Sequence, residues 1–248
     1  MAKLSHKKKN TLPLAIALYI ALVLGGASFW FLQMKDSFST RKIPPTPSVA
    51  QTGELDISVC DPSNGPFSTT INNPYLPLPV GRVRVLGNET SKFQISVLDK
   101  TEVVAGIPTR AVEERAWEQN HLVELARNFF VQAPDKTVCY YGEEVDIYKN
   151  GVVVNHEGTW RAGEGENKPG IMMPGHPMVG QTYQQEIAPG IANDRGEHIS
   201  IYPSQTTPAG TFSDILQVKE TPPGDKRYAR GVGLIYDGGM ELISLHDK

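Results

Sequence analysis

Three clusters in this chain hold side chains able to do chemistry. Met173, His176 and Met178 lie within six positions of one another in "KPGIMMPGHPMVG", with Met172 beside them. Thioether plus imidazole is a ligand set that suits copper. Pro174 and Pro177 interrupt the backbone between them, so no regular element presents the set, and methionine beside proline is a common filler of irregular core gaps. The second cluster is "YYGEEVDIYKNGVVVNHEGTW", where Glu143, Glu144 and Asp146 precede Asn150-Gly151 and His156, Glu157 and Trp160 follow it. A two-residue turn at Asn150-Gly151 predicts Lys149 opposite Val152, Ile147 opposite Val154, Val145 opposite His156 and Glu144 opposite Glu157. Facing carboxylates with a nearby histidine suit Ca²⁺ or Zn²⁺, or acid–base work; a solvated hairpin edge uses the same residues for neither. The third cluster, Glu186, Asp194, Glu197 and His198, reads as a loop carrying both signs of charge.

Signatures of catalysis are otherwise missing. There is no GxSxG, HExxH, EF-hand loop or glycine-rich phosphate loop, and no cofactor is implied. The SxxK matches, Ser5–Lys8 and Ser39–Lys42, fall outside any expected pocket.

The elements that must position these clusters are β-strands. From Leu55 onward, glycine and proline recur every 8–12 residues between short β-type runs, the spacing of a sandwich or barrel. "KFQISVL" alternates Phe93, Ile95 and Val97 on one face. Asn150-Gly151 and Asp237-Gly238 are hairpin signals, because these residue pairs tolerate positive φ. "LVELARNFFVQ" fits helix and strand periodicity alike and is assigned to a strand. The expected fold is all-β, a mainly antiparallel curved sheet forming a partial barrel or sandwich over residues 55–248.

A transmembrane helix precedes it in this reading. Thr11–Leu32 is a continuous stretch of mostly apolar side chains, and Lys3, Lys7, Lys8 and Lys9 stand before it. About 20 such residues span a bilayer, and a basic flank favours the cytoplasmic side. Residues 1–10 are read as a cytoplasmic tail, 11–33 as a signal anchor and 34–54 as a Pro-containing linker. The C-terminal domain is then periplasmic or extracellular, on a single-pass membrane protein. A cleaved signal peptide with small residues at Gly25-Gly26-Ala27 is the other reading, and also gives export.

Of 24 basic and 27 acidic residues, 7 and 1 precede Gly53, leaving 17 and 26, a net charge of −9, on the rest. So acidic a domain argues against a nucleic-acid partner. Cys60 and Cys139 are the two cysteines. In an exported domain they can pair, or can be two separate small core residues.

The motifs "INNPYLPLPVG", "YYGEEVDIY", "HEGTWRAG", "KPGIMMPGHP", "YQQEIAPGIA", "TPAGTFSDIL" and "YARGVGLI", in this order, resemble an uncharacterised family of bacterial exported envelope β-domains. That family carries Asn-Pro-Tyr-x-Pro-Leu near its start and a closing Gly-Val-Gly-Leu strand. The resemblance covers about residues 58–245. It implies a curved antiparallel sheet and brings no reaction or catalytic residue. One departure is Cys139, which stands where the family pattern has an aromatic residue.

Together these readings give a membrane-anchored, non-enzymatic binding or structural domain of the cell envelope, acting on an unknown envelope ligand or protein partner. Its candidate ligand-binding residues are His156, Glu157, Trp160, Glu144 and Glu186. A copper-binding protein, using Met173, His176 and Met178, and a metal-assisted hydrolase, using His156, Glu157 and Glu186, are the alternatives.

Overall fold

The computed structural model describes residues 53–222 and 224–247. The tail, the anchor and nearly all of the linker lie outside the described residues. Among the described residues no helix is long and apolar enough to cross a membrane.

Two 3-10 turns, Ile57–Cys60 and Pro62–Asn64, lead to a ribbon of β1 (Ile71–Asn72) and β2 (Pro77–Leu78). Then come β3 (Val83–Gly87) and four long strands: β4 (Ser91–Val104), β5 (Ile107–Glu118), β6 (His121–Gln132) and β7 (Val138–Lys149). Short strands follow: β8 (Val152–Asn155), β9 (Trp160–Arg161), β10 (Lys168–Met173), β11 (Thr182–Gln184) and β12 (Glu186–Ile187). The chain closes with β13 (Arg195–Thr207), β14 (Gly210–Thr221), β15 (Gly224–Ala229), β16 (Gly233–Asp237) and β17 (Met240–His246).

One antiparallel sheet runs β11-β13-β14-β15-β16-β17-β3-β4-β5-β6-β7-β10-β12, with β8 and β9 also on β7. Its two end strands, β11 and β12, are separated only by Gln185, so the sheet curls back to meet itself in a nearly closed barrel. Closure leaves few unpaired edges, the usual hazard of a large sheet. The expected all-β antiparallel architecture holds, as a single curled sheet.

Alternation sorts each strand into a wall facing the interior and a wall facing outward. In β4, Phe93, Ile95 and Val97 are buried while Lys92 is exposed. The ambiguous segment Leu122–Gln132 is part of β6, and Ala126, Phe129, Phe130 and Val131 are buried there. Asn150 and Gly151 have φ of 54° and 78°, the left-handed pair of a tight hairpin. Lys149 pairs with Val152 as expected, but a register shift then places Ile147 opposite Asn155 rather than Val154. At the last hairpin the left-handed residues are Gly238 and Gly239, not Asp237 and Gly238. Asp237 stays within β16, opposite Met240 and Lys226.

The β1–β2 ribbon caps one end. Asn73 clamps it: its Oδ1 accepts from the amides of Tyr75 and Leu76, and its Nδ2 donates to the carbonyls of Lys136 and Pro174, all at 2.8–3.0 Å. The Gly231 amide donates to the Pro74 carbonyl at 2.7 Å, and the Arg230 guanidinium lies over the Tyr75 ring. The Asn73-Pro74-Tyr75 and Gly231-Val232-Gly233 segments therefore meet in space, at this cap. A disulfide between Cys60 and Cys139 ties the first 3-10 turn to β7, and the Tyr141 hydroxyl donates to the Cys60 carbonyl at 2.8 Å. Closing so long a loop contributes about 4 kcal/mol in the chain-entropy model.

Candidate functional site

The barrel interior is only partly filled. A cavity of about 130 Å³ lies inside it. Apolar and aromatic side chains line one part of its wall, among them Phe93, Phe130, Tyr140, Trp160 and Tyr228. Six carboxylates line the same space: Glu114, Glu143, Glu186, Asp194, Glu220 and Asp237. Against them stand two cations, Arg84 and Lys226.

Strand register brings these groups together from distant parts of the chain. Val112, Asn128, Glu143 and Trp160 form one cross-strand row over β5, β6, β7 and β9. Arg84, Ile95 and Glu114 form a second over β3, β4 and β5. Val218, Lys226 and Asp237 form a third over β14, β15 and β16. Glu186 and Asp194 come from the seam, where the Asp194 amide donates to Glu186 Oε1 at 2.5 Å. Gln185, at the changeover itself, donates to Glu220 at 2.9 Å.

The cations are unequally shared. Lys226 Nζ lies 2.9 Å from Glu220, and Asp237 is its cross-strand neighbour. Both carboxylates hold its ammonium well above the usual lysine range, against the effect of burial. Arg84 is 1% exposed and sits where a Cβ on Gly233, whose φ of 101° is a conformation that favours glycine, would fall 2.1 Å from its Nη1. Its Nη2 donates to the Pro77 carbonyl at 3.2 Å and its Nε has no partner. Burial lowers its pKa to about 10. Among the described residues, no lysine or arginine comes within ion-pair distance of Glu114, Glu143, Glu186 or Asp194.

Burial pushes these carboxyls up. Glu186 rises to about 8, by desolvation and then by the Asp194 charge beside it. Glu114 rises to about 7 by desolvation, partly offset by Lys226. Asp194 and Asp237 each rise to about 6, chiefly by desolvation. Glu143 is raised well above the usual range, by desolvation and by the charges of Glu124, Glu114 and Glu186. Side chains facing the lumen keep some accessible surface there, yet the barrel wall screens them from bulk solvent. An ionised carboxylate in that setting is costly unless a counter-charge arrives.

Tyr140 links the aromatic and acidic parts of the wall. Its hydroxyl donates to Asn128 Oδ1 at 2.7 Å, and its ring stacks on Phe130 and meets Trp160 edge-on, each at 5.1 Å between centroids.

Of the residues singled out from sequence, Trp160 and Glu186 line the lumen. Glu144 does not: it faces the outer side of β7, one position from Glu143, and is bonded to Arg161. His156 is exposed on the hairpin, with Nδ1 2.9 Å from Asp146 Oδ1, and Glu157 is exposed beside it. The proposed hydrolase set of His156, Glu157 and Glu186 is thus divided between the outer surface and the lumen. Met173 is fully buried in the core, whereas His176 and Met178 lie at the surface, so the copper set is not brought into one environment. Among the described residues no three histidine, cysteine, aspartate or glutamate side chains converge for a metal ion. His198, next to Glu197 in the third cluster, is buried against the Tyr183 hydroxyl at 3.2 Å, and desolvation lowers its pKa to about 4. Sequence reading passed over Arg84, Glu114, Glu143, Glu220, Lys226 and Asp237 as lumen residues. Their signal was the side of the strand on which each falls.

Comparison with family models, with curated proteins and with solved structures finds no match for this chain.

Proposed function

We propose that this chain is a membrane-anchored binding protein of the cell envelope, whose β-domain takes a small molecule into its barrel and performs no chemistry on it. The observation that carries the reading is the lumen itself, a cavity of about 130 Å³ whose wall bears six carboxylates. A barrel that only needs to be stable fills its interior with apolar side chains, as small barrels do. Acids pushed out of their ordinary range by burial oppose folding. Clusters of such groups in a concavity mark functional sites. The volume suits a compact polar ligand and is too small for a lipid chain. The apolar stretch Thr11–Leu32 with its lysine flank and the resemblance to exported envelope β-domains support the location.

Native mass spectrometry of the full-length chain, extracted from membranes in mild detergent, tests the reading. A small-molecule adduct that disappears in Trp160→Ala is expected. A chain that carries no adduct and takes up none from cell extract would overturn the binding role. A C-terminal reporter active only in the cytosol would overturn the location.

A further inference from the structure

We propose that the lumen ligand is a small organic cation, an ammonium compound that also carries a hydroxyl or carbonyl oxygen. This rests on the binding reading above and names its ligand class.

The wall is chemically lopsided. Lys226 is already committed to Glu220 and Asp237. Glu143 and Glu186 have no basic partner, and they face a space shared with the rings of Tyr140 and Trp160. Carboxylates beside aromatic rings are surroundings in which an ammonium group is held, by charge and by the ring quadrupole together. A hard divalent ion needs several oxygens converging on one point, and the described residues offer no such convergence. An ammonium on a small carbon frame needs only a charged wall and an apolar one.

A second observation is independent of the acids. Arg84 is 1% exposed and lines the same lumen, and its Nε is buried with no hydrogen-bond partner; Tyr228, 5% exposed, lines the lumen with it. Tyr228 sits close enough to Arg84 to act on its charge. Arg84 is the one cation of the lumen without a carboxylate within ion-pair distance. A buried polar group without a partner is costly, so this end of the lumen calls for an oxygen from outside the chain. The ligand therefore has two ends: an ammonium toward Glu143 and Glu186, and an oxygen toward Tyr228 and Arg84.

The carboxyls add a thermodynamic signature. Glu186, with its pKa at about 8, holds a proton near neutral pH, and burial shifts Glu143 in the same direction. A cation arriving beside them favours the ionised forms, so binding releases protons.

Isothermal titration of the full-length chain in detergent at pH 7 tests this. The probes are ethanolamine and glycinamide (ammonium plus oxygen), propylamine (ammonium alone), ethylene glycol (oxygen alone) and magnesium chloride. Ethanolamine or glycinamide is expected to bind at least ten-fold more tightly than ethylene glycol, with net proton release seen as a heat that varies with the buffer's ionisation enthalpy. Glu143→Gln and Glu186→Gln should each weaken that binding about ten-fold. Tyr228→Phe should weaken ethanolamine about five-fold and leave propylamine unchanged. Equal binding of the uncharged probe, preference for magnesium, or binding without proton release would overturn the proposal; these readouts use the unmutated chain and stand even where a variant fails to fold. Failure of every ammonium probe alongside a native adduct of another chemical class would sink this ligand assignment and leave the binding role standing. Failure of every probe with no native adduct would end both.

Discussion

The lumen wall and the β7–β8 hairpin are built from the same kinds of residue and even share a strand, yet their charges live under opposite rules. On the hairpin, His156 and Asp146 meet at 2.9 Å with the imidazole two-thirds exposed, and Glu157 is open to water. Water screens such a pair, which is worth little. Three residues before Asp146 on the same strand, Glu143 faces inward and is pushed far from its ordinary ionisation range. The difference is not in residue type or local spacing. It is whether the barrel wall stands between the carboxyl and bulk solvent. A charge carries information about function in proportion to what the fold spends to keep it there.

The largest effect that separates the two regions is packing. Trp160 is 2% exposed, pairs across the sheet with Glu143, and meets Tyr140 edge-on. Trp160→Ala should cost about 3–5 kcal/mol by chemical denaturation, the range for large-to-small changes at buried aromatic sites. Val153→Ala, at an exposed hairpin position, should change stability by less than about 0.5 kcal/mol. Comparable losses at both positions would mean that the hairpin is as much a part of the packed wall as the lumen is.

A smaller effect tests the electrostatic half of the contrast. Glu186 has a folded pKa of about 8, raised by burial from an ordinary 4.5. Between those values the folded chain holds a proton that the unfolded chain has lost, so stability falls as pH rises. Glu114, at about 7, acts in the same direction. His198, lowered to about 4, acts oppositely, but only up to its ordinary 6.5. From pH 6.5 to 8 the acids therefore act alone. Unfolding free energy should drop across that window, with about 1.5 kcal/mol of the drop due to Glu186. Glu186→Gln should flatten the profile by that amount. Parallel profiles for the two proteins would show that Glu186 is solvated like the hairpin acids.

How far the sequence foretold this contrast can be read from single positions. The antiparallel sheet was legible because alternation in "KFQISVL" and the Asn150-Gly151 turn report local geometry directly. Barrel closure was not, since it depends on β11 and β12, joined through Gln185, standing at the two ends of one sheet, a relation with no local mark. The site suffered from parity. Glu143 and Glu144 are adjacent, and one step along a strand changes the face, so a count made without the register shift between Ile147 and Tyr148 selects the outer acid. Asp237 was absorbed into a predicted turn, although Gly238 and Gly239 make that turn themselves. Glu114, between Glu113 and Arg115, reads as one charge in a solvated run; its neighbours do pair with each other, on the opposite face. Trp160 and Glu186 were reached for the wrong company, since His156 and Glu157 never join them.

The smallest expected effect is the most direct test of whether the hairpin belongs with the lumen after all. His156 Nδ1 is also 2.9 Å from the Val145 carbonyl, so the ring is placed by a backbone contact as well as by Asp146. Were this histidine part of a binding or hydrolytic site, replacing it would alter ligand uptake while leaving the fold alone. The exposed geometry predicts the reverse order of small effects. His156→Ala should cost less than about 0.5 kcal/mol, because an exposed side-chain contact contributes only a few tenths. It should leave the affinity for ethanolamine within two-fold of the unmutated chain, where Glu143→Gln lowers it about ten-fold. A ten-fold loss on His156→Ala, with denaturation unchanged, would put the hairpin into the site and dissolve the division between the two faces of β7.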